Sequence, residues 1–407
     1  MRVRGIDAGG SGTRIAKSET DIYRSPSVCM EIPLGAPSKE HIIDNKLLDF
    51  VIKKCPREDL VDRRFVKQDA MNQYNGDVLV CDNQDAKVLQ DITYINIFYT
   101  IAADCVRRSI NDEEFKIGVC IPAAEYYDDK NDRIGEIKNN LAGATAIYFH
   151  MLDRTIRFQI NRNNIGVVAE GVVAAFRFKK DRSFVLKNTV VVDIGYRSTD
   201  ITVLLSFKPV GASAASRPIG GINLEANIQS QLERDNIFVT TSAVQTALST
   251  TYVVSDDGQE LVDITSYIEQ VAMADDTVAR AIDLMSADGL TFGRAQVEKA
   301  MRSHYLVQGQ DIVDITQYVH NAKEVFVDAV YRAIVDVVNA KMMNINEMSN
   351  VLCIGRPFGG DKNDPKNLIN MLSAKFKDGI NMYTVPDAGT ANVVEIIKLL
   401  GEEQDDL

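Results

Sequence analysis

The chain lacks long apolar segments, and its cysteines and histidines do not form the patterns typical of disulfide or metal sites. Its 407 residues contain no apolar run of 18 or more, so no membrane-spanning helix is expected. The six cysteines include no Cys-x-x-Cys pair, and the four histidines have no metal-ligand spacing. Buried free thiols are therefore expected in place of disulfides or a zinc site.

Clustered positive charge is also missing. Asp and Glu number 57 against 45 Lys and Arg, which gives a formal net charge of −12. Extended contact with DNA or RNA phosphates requires clustered cations, so any nucleic-acid role would need an adaptor. The chain opens on a strand-like segment, Met-Arg-Val-Arg-Gly-Ile-Asp, which leaves no room for a signal peptide. We expect a cytoplasmic protein.

Two glycine-bearing segments, residues 5–14 and 192–200, share one layout. In each, an apolar strand-like run ends in an aspartate, turns on glycine and continues as a second strand; the aspartates are Asp7 and Asp193. Glycine lets backbone N–H groups face an anion, and a strand-end carboxylate can hold a hydrated metal. A single Asp-Gly hairpin is often a turn without function. Because small and hydroxyl residues recur in the second segment, the pair favours phosphate binding by a duplicated α/β core.

Glu170 is the next candidate catalytic residue, after Asp7 and Asp193. It stands where a strand-like run passes into a small-residue helix within residues 166–176. A carboxylate there could polarise the water that attacks a γ-phosphate. A lone glutamate that opens a helix is more often only a favourable first-turn charge. Its position between the two hairpins favours the catalytic interpretation.

A Gly-Gly pair at Gly220 and Gly221 is a second place where an anion could bind. It follows a loop-like stretch at 208–221 and precedes a helical pattern over Leu224–Leu232. Backbone amides at the start of a helix are free to bind an anion. A flexible turn explains the pair equally well.

A third glycine turn follows the apolar run Val351–Ile354. Its residues Gly355, Arg356 and Gly359 present a backbone against which an adenine and ribose could lie. A glycine turn after a strand means little by itself. The sequence contains neither a P-loop nor a dinucleotide-binding fingerprint, so those routes to nucleotide binding are not supported.

The order of apolar runs predicts an α/β protein. Strand-like runs alternate with helical patterns, and the helices have buried apolar stripes. A charged and amide-rich stretch at 55–80 is interpreted as an inserted subdomain or a surface arm. The strands are predicted at Val3–Ile6, Lys116–Ile121, Val190–Ile194, Ile201–Ser206, Val351–Ile354 and Asn381–Val385, and the long helices at Asp263–Met285, Glu324–Met343 and Ala391–Leu400.

Taken in order, these segments resemble the actin superfamily, which includes actins, sugar kinases and the large heat-shock chaperones. Residues 5–14 and 191–203 resemble its two phosphate motifs, and 351–360 its adenosine motif. Residues 166–176 and 384–397 resemble its connecting segments. Within the superfamily, residues 118–126 and 192–200 are most similar to bacterial plasmid-segregation actins of the ParM type.

The resemblance implies an actin-like, ribonuclease H-like duplicated fold with two domains around a nucleotide cleft. Domain I would be residues 1–168 plus 386–407, with an inserted subdomain at about 31–95, and domain II would be 169–385. Asp7 and Asp193 would hold Mg²⁺ through water, and Glu170 would activate the attacking water. The implied nucleotide-binding residues are Gly9, Gly10, Ser11, Gly12, Thr13, Arg14, Gly195, Tyr196, Arg197, Ser198, Gly220, Gly221, Gly355, Arg356 and Gly359.

The function implied by the resemblance is an ATPase that forms a homopolymeric filament and moves plasmid DNA through a DNA-binding adaptor. GTP remains an alternative nucleotide. A sugar or acid kinase of the same fold is the main competing function, although no clear Asn-Asp or Gly-Asp signature follows the first connecting segment. Another bacterial cytoskeletal actin is a further alternative, whereas a chaperone of this superfamily would usually carry a separate substrate-binding domain.

Overall fold

In the computed structural model, the chain divides into two compact units. No helix within the described residues is long and apolar enough to cross a membrane. The first unit comprises residues 1–218, 333–356 and 378–407, and the second comprises 219–332 and 357–377. The described residues are 2–10, 12–39, 45–81, 85–185, 187–210, 214–254, 260–271, 276–308, 311–340, 343–355, 367–377, 379–385 and 388–405.

Helices and strands alternate along the chain, as the apolar pattern predicts. The strands are β1 (Arg2–Ala8), β2 (Thr13–Ser18), β3 (Asp21–Ser25), β4 (Cys29–Ile32), β5 (Asp49–Lys54), β6 (Arg63–Lys67), β7 (Asp77–Leu79), β8 (Glu113–Ile121), β9 (Gly143–Phe149), β10 (Arg154–Ala169), β11 (Thr189–Ile194), β12 (Thr199–Leu205), β13 (Lys208–Pro209), β14 (Ala215–Arg217), β15 (Tyr252–Val254), β16 (Leu261–Asp263), β17 (Tyr305–Gln308), β18 (Asp311–Asp314), β19 (Asn350–Ile354) and β20 (Asn381–Val385).

Most of the α-helices are short, and the longest belong to the later part of the chain. The α-helices are α1 (Asp91–Arg107), α2 (Ala123–Tyr126), α3 (Arg133–Leu141), α4 (Val172–Ala175), α5 (Arg182–Val185), α6 (Gly221–Arg234), α7 (Thr241–Ser249), α8 (Thr265–Val271), α9 (Thr277–Ala287), α10 (Arg294–Ala300), α11 (Thr316–Asn339), α12 (Leu368–Ser373) and α13 (Ala388–Asp405). Short 3₁₀ helices lie at Glu58–Leu60, Gln68–Gln73, Lys87–Leu89, His150–Leu152, Phe176–Phe178 and Ile345–Glu347.

Two sheets in the first unit repeat one strand plan. The first has the order β3-β2-β1-β8-β10-β9-β5-β6-β4-β7, and the second has β13-β12-β11-β19-β20, with β14 also paired to β12. In both, an antiparallel hairpin (β1–β2 or β11–β12) is followed by parallel neighbours (β8 and β10, or β19 and β20). The duplicated α/β core predicted from the two glycine hairpins is therefore confirmed.

Helix α13 packs closely on the first sheet because two strand glycines leave room for it. A Cβ on Gly5 would stand 2.3 Å from the carbonyl oxygen of Val393, and one on Gly118 would stand 2.1 Å from Ile396 Cγ2. Only a residue without a side chain permits such contact. The close packing holds α13, at Val393 and Ile396, against the interior of β1 and β8.

The charged stretch at 55–80 belongs to an extension of the first sheet and is not a surface arm. Strands β4 to β7 join the sheet through β9. The guanidinium of Arg64, which is 1% exposed, donates to both carboxylate oxygens of Asp49 at 2.9 and 2.6 Å. It also donates to the carbonyl of Leu34 at 3.0 Å. A buried guanidinium needs such a complete set of acceptors, which explains polar residues inside the sheet.

The second unit contains a helix–hairpin–helix arrangement twice. Strands β15 and β16 form one hairpin between α7 and α8, and β17 and β18 form another between α10 and α11. Each hairpin ends in the sequence Val-Asp-Ile-Thr, at 262–265 and 313–316. In each copy the aspartate carboxylate accepts from the threonine N–H, at 2.9 Å in the first and 2.8 Å in the second. The threonine hydroxyl accepts from the backbone N–H of Thr251 (2.8 Å) or His304 (2.9 Å).

The single long helix predicted at Asp263–Met285 is wrong. The structure has α8 and α9 there, and residues 272–275 between them lie outside the described residues. Asp276 begins α9, because its side chain accepts from the N–H of Ala279 at 3.0 Å. An aspartate at this position satisfies a free N–H at a helix start, and the apolar spacing across the break concealed that signal.

Candidate functional site

The two predicted phosphate hairpins have the same register. Asp7 pairs with Arg14 across β1 and β2, and Asp193 pairs with Asp200 across β11 and β12. One residue further, Ala8 faces Thr13 and Ile194 faces Thr199. Both turns are closed by backbone hydrogen bonds at the same place: Gly12 N–H donates to Gly9 O at 3.3 Å, and Gly195 N–H donates to Ser198 O at 2.8 Å. The turns that follow β1 and β11 therefore have the same length, and the strands on either side of them pair in the same register.

A buried asparagine brings the two aspartates together. Hydrogen bonding by the side chain of Asn392, in the second turn of α13, lowers the pKa of both Asp7 and Asp193 and so opposes the effect of burial. Within the described residues the Oδ1 atom of Asn392 has no hydrogen-bond partner, which leaves its amide NH₂ group for the two carboxyl groups. Asn392 is 3% exposed and Asp7 is 5% exposed. One amide thus links the strand ends of the two sheets.

Glu170 lies at the end of β10, where the chain turns into α4. Its N–H donates to the carbonyl of Ile121 at 2.8 Å, and its carbonyl accepts from Val172 N–H at 2.7 Å. The carboxylate forms a hydrogen-bonded ion pair with the ammonium of Lys87. Both side chains are largely buried, at 14% and 10% exposure. Glu170 is therefore held by the strand end on one side and by a cation from the 3₁₀ helix Lys87–Leu89 on the other.

The site concentrates negative charge in a buried place. Burial, followed by the charge of Glu170, raises the pKa of Asp7 to about 6, although Lys87 and Arg14 oppose the shift. Burial and the charges of Glu170, Asp200 and Asp7 raise the pKa of Asp193 well above its ordinary value. Burial and Glu170 also raise the pKa of Asp200 to about 7. Burial is the largest cause of each shift, and the charge of Glu170 adds to it in all three.

Lys87 is the main cation of this group. Burial by itself lowers the pKa of Lys87, but the charges of Glu170 and Asp7 and the hydrogen bond to Glu170 outweigh burial and raise the pKa above its ordinary value. Its ammonium is therefore charged at neutral pH. Arg14 adds a second positive charge, with its Nη1 atom 3.7 Å from Asp7 Oδ2.

The donor set fits a hydrated Mg²⁺ better than a directly ligated metal. The described residues contain no cluster of three metal-ligating side chains. They do contain the facing carboxylates of Asp7 and Asp193, and the Oδ1 atom of the nearby Asp200 is buried with no hydrogen-bond partner within the described part of the chain. A hydrated divalent cation would offset the surplus negative charge and donate through its waters to such oxygens.

The first hairpin contacts the second through backbone and side chain. Ser27 Oγ donates to the carbonyl of Gly10 at 2.6 Å, which fixes the first turn. A Cβ on Gly10 would lie 3.7 Å from Arg197 Cδ, so the turn of one hairpin lies against the side chain of the other. The guanidinium of Arg197 donates to the carbonyl of Cys81, beside the segment that carries Lys87.

The other predicted nucleotide-binding residues are placed as follows. Thr13 is 0% exposed, and its hydroxyl has no partner among the described residues. Gly195 is exposed, whereas Gly9, Gly12, Tyr196 and Ser198 are partly buried in the two turns. Gly220 and Gly221 open α6 in the second unit, with Gly220 N–H donating to Asn223 Oδ1 at 2.8 Å. Ser11, Arg356 and Gly359 lie outside the described residues.

Two glycines with positive φ shape the walls of the site. Gly171, after Glu170, has φ +69°, and a Cβ there would lie 3.1 Å from Asp193 Cβ. Gly355, after β19, has φ +128°, and a Cβ would lie 2.4 Å from the carbonyl oxygen of Ile194. The backbone conformation favours glycine at both positions, and at Gly355 the available space requires it as well. Gly355 thus lies directly against the second of the two hairpins.

Comparison of the structure with solved structures identifies the fold. No family model and no curated protein sequence matches the chain. The pCBH ParM non-polymerisable quadruple mutant matches over 98% of this chain and 99% of its own, with a TM-score of 0.58 and 14% identity. The archaeal actin homolog Ta0583 in complex with ADP matches over 99% and 100%, with a TM-score of 0.62 and 14% identity. Bacillus thuringiensis ParM with ATP matches over 98% of both chains, with a TM-score of 0.61 and 14% identity.

The chain therefore has the actin-like fold that the order of its motifs predicted. The matches extend over nearly the whole length of each chain, and they include ParM structures as well as an archaeal actin homolog. The low identity explains why only the arrangement of motifs, and not overall sequence similarity, indicated the fold.

Sequence reasoning missed Lys87 and Asn392. Lys87 belongs to a charged segment interpreted only as part of an insertion, and 83 residues separate it from Glu170. Asn392 lies within an apolar helical pattern interpreted as core. A polar residue inside such a stripe was the available signal, because a buried amide requires partners.

Proposed function

We propose that this chain is a nucleotide-hydrolysing, filament-forming actin homologue. One observation supports this most directly. Two hairpins of identical register carry Asp7 and Asp193, and both aspartates interact with the side-chain amide of Asn392. The ion pair of Glu170 and Lys87 belongs to the same group of charges. Solved structures of the same fold are named with ADP and with ATP, and one is named as a non-polymerisable mutant.

The proposed reaction is in-line attack of water on the γ-phosphorus, which breaks the bond to the β–γ bridging oxygen and releases nucleoside diphosphate and phosphate. The two hairpins bind the phosphates through their backbone amides. Glu170 orients the attacking water. Asp7 and Asp193 are the residues that would hold Mg²⁺ through water, and the ion would neutralise phosphate charge. The proposed phosphate and adenosine contacts are Gly9, Gly10, Ser11, Gly12, Thr13, Arg14, Gly195, Tyr196, Arg197, Ser198, Gly220, Gly221, Gly355, Arg356 and Gly359.

We further propose ATP as the main substrate, with GTP as a second one, and plasmid segregation through a DNA-binding adaptor in the cytoplasm as the biological role. The predicted domains, 1–168 plus 386–407 and 169–385, are retained as the proposed halves around the nucleotide. The division of the strands supports these halves. All strands of the first sheet lie within 1–168, apart from the last residue of β10, and all strands of the second sheet lie within 169–385.

The decisive experiment follows assembly and hydrolysis together. Purified protein is mixed with ATP, GTP, ADP or no nucleotide in the presence of Mg²⁺, and light scattering, pelleting and phosphate release are recorded in parallel. We expect assembly with ATP, followed by phosphate release and disassembly. Hydrolysis without assembly would contradict the filament, and phosphoryl transfer to a sugar or acid acceptor would instead identify a kinase.

Glu170→Gln tests the proposed chemistry. The substitution keeps the shape of the side chain and leaves Lys87 an acceptor, whereas Glu170→Ala would leave a buried ammonium unpaired. We expect nucleotide binding and assembly to persist, phosphate release to slow by about 100-fold or more, and filaments to last longer. Unchanged phosphate release would remove Glu170 from the mechanism.

A further inference from the structure

The 3₁₀ helix Lys87–Leu89 delivers one cation to Glu170 from outside the two phosphate hairpins. It lies between β7 and α1, and the side chain of Lys87 is 10% exposed. The ammonium donates to Glu170 Oε1. Among the described residues, no other donor to the Glu170 carboxylate is present. One carboxylate oxygen of Glu170 is thus held by Lys87.

The direction of Lys87 is set by hydrogen bonds around its backbone. The carboxylate of Glu125, in α2, accepts from the N–H groups of Lys87 at 2.6 Å and Val88 at 3.0 Å. The hydroxyl of Thr93 donates to Lys87 O at 2.7 Å, and that of Tyr94 donates to Val88 O at 2.5 Å. The turn is therefore fastened to α1 and α2, two helices that adjoin the first sheet.

The need for a cation at this point follows from the charge of the site. The negative charge of Glu170 acts on both Asp7 and Asp193, so its carboxylate lies in a group of like charges. The ammonium of Lys87 offsets that charge, and its hydrogen bond to Oε1 restricts rotation of the carboxylate. Fixing a base in one orientation accelerates a reaction because the geometry is formed before the chemical step.

We propose that Lys87 is a positioning residue for Glu170, holding its carboxylate in the orientation that the attacking water requires. The proposal rests on the nucleotide hydrolysis proposed above. It differs from direct phosphate binding, in which Lys87 would act on the nucleotide and not through Glu170.

Lys87→Met and Lys87→Arg test the role in catalysis. In Lys87→Met we expect phosphate release at saturating ATP to fall by about 10- to 100-fold while KM stays within about 2-fold, because the water loses its oriented base. Lys87→Arg should restore most of the rate. Lys53→Met is the matched control, because Lys53 pairs with Asp62 at 3.1 Å in an exposed place; its rate should not change.

The double variant Lys87→Met/Glu170→Gln separates the two possible roles. If Lys87 acts through Glu170, the double variant hydrolyses ATP no more slowly than Glu170→Gln alone. A further loss of rate in the double variant, or a selective loss of ATP over ADP affinity in Lys87→Met, would show that Lys87 contacts the phosphate and would overturn the proposal.

Thermal unfolding of the nucleotide-free protein provides a readout that does not depend on activity. The shift of the unfolding midpoint in the double variant should differ from the sum of the shifts in Lys87→Met and Glu170→Gln, because the ion pair is lost only once. Additive shifts would overturn the pairing. If the wild type hydrolyses no nucleotide, the proposed function fails. The unfolding midpoints of the two single variants and the double variant still decide whether Lys87 holds Glu170.

Discussion

Individual glycines hold the backbones of this site closer together than any side chain would allow. Gly355 has φ +128° and lies directly behind Ile194, in the strand that carries Asp193. Gly379 also has a positive φ, +97°, but no described atom lies within 4 Å of the position that a Cβ would occupy. The two positions therefore separate the effect of backbone conformation from that of space.

Gly355→Ala should destabilise the protein more than Gly379→Ala. Each substitution forces a non-glycine residue into a disfavoured conformation, which costs about 1–3 kcal/mol. Gly355→Ala also places a methyl group 2.4 Å from Ile194 O, so the second hairpin must move. We expect a loss of unfolding free energy above about 3 kcal/mol for Gly355→Ala, measured by urea unfolding, and weaker nucleotide binding. Equal losses in the two variants would mean that the close approach has no energetic consequence.

At the scale of elements, the two helix–hairpin–helix repeats of the second unit differ at one informative position. The residue before the first hairpin is Thr251, and its counterpart before the second is His304. The imidazole Nδ1 of His304 lies 3.3 Å from the carbonyl oxygen of Ala247. Burial and the nearby Lys323 charge lower the pKa of His304 to about 4.

His304 should make the second unit sensitive to acid. The unfolded chain takes up a proton near the ordinary histidine pKa of about 6.5, whereas the folded chain does so only near pH 4. Stability is therefore fully present above about pH 6.5 and falls as the pH drops toward 4, by up to about 3 kcal/mol. His304→Thr, which copies Thr251, should flatten this dependence in chemical unfolding between pH 7 and pH 4.5. A slope equal to that of the wild type would rule out His304 as its source.

At the scale of the whole molecule, charge limits the possible partners. The formal net charge is −12, and the sequence pI is about 5.0. A polyanion such as DNA is repelled unless cations are clustered on one surface. This is the reason for placing an adaptor between the proposed filament and its cargo.

The protein should not bind plasmid DNA directly. In gel-shift and co-pelleting assays at about 150 mM salt, with and without ATP, we expect no retained DNA, since weak non-specific binding requires phosphate contacts that release counterions. A complex that forms without an added protein and weakens as salt rises would show that a basic surface exists and that no adaptor is needed.

The sequence by itself determined the parts of the protein that depend on neighbouring residues. Strand runs ending in Asp7 and Asp193, glycine turns after them and Glu170 at a strand end are local patterns, and their order was enough to predict the duplicated actin-like fold. Residues within a few positions of one another define turn chemistry and periodicity, so such signals survive without an alignment.

Only the tertiary structure decided which distant side chains complete the site. Asn392 reaches both aspartates because glycines at positions 5 and 118 let α13 pack on the first sheet. Lys87 reaches Glu170 because α1 and α2 fasten the turn that carries it. The physical reason is that burial and charge compensation act through space, so a lysine in a charged loop and an asparagine in an apolar helix acquire a role only when folding brings them to carboxylates.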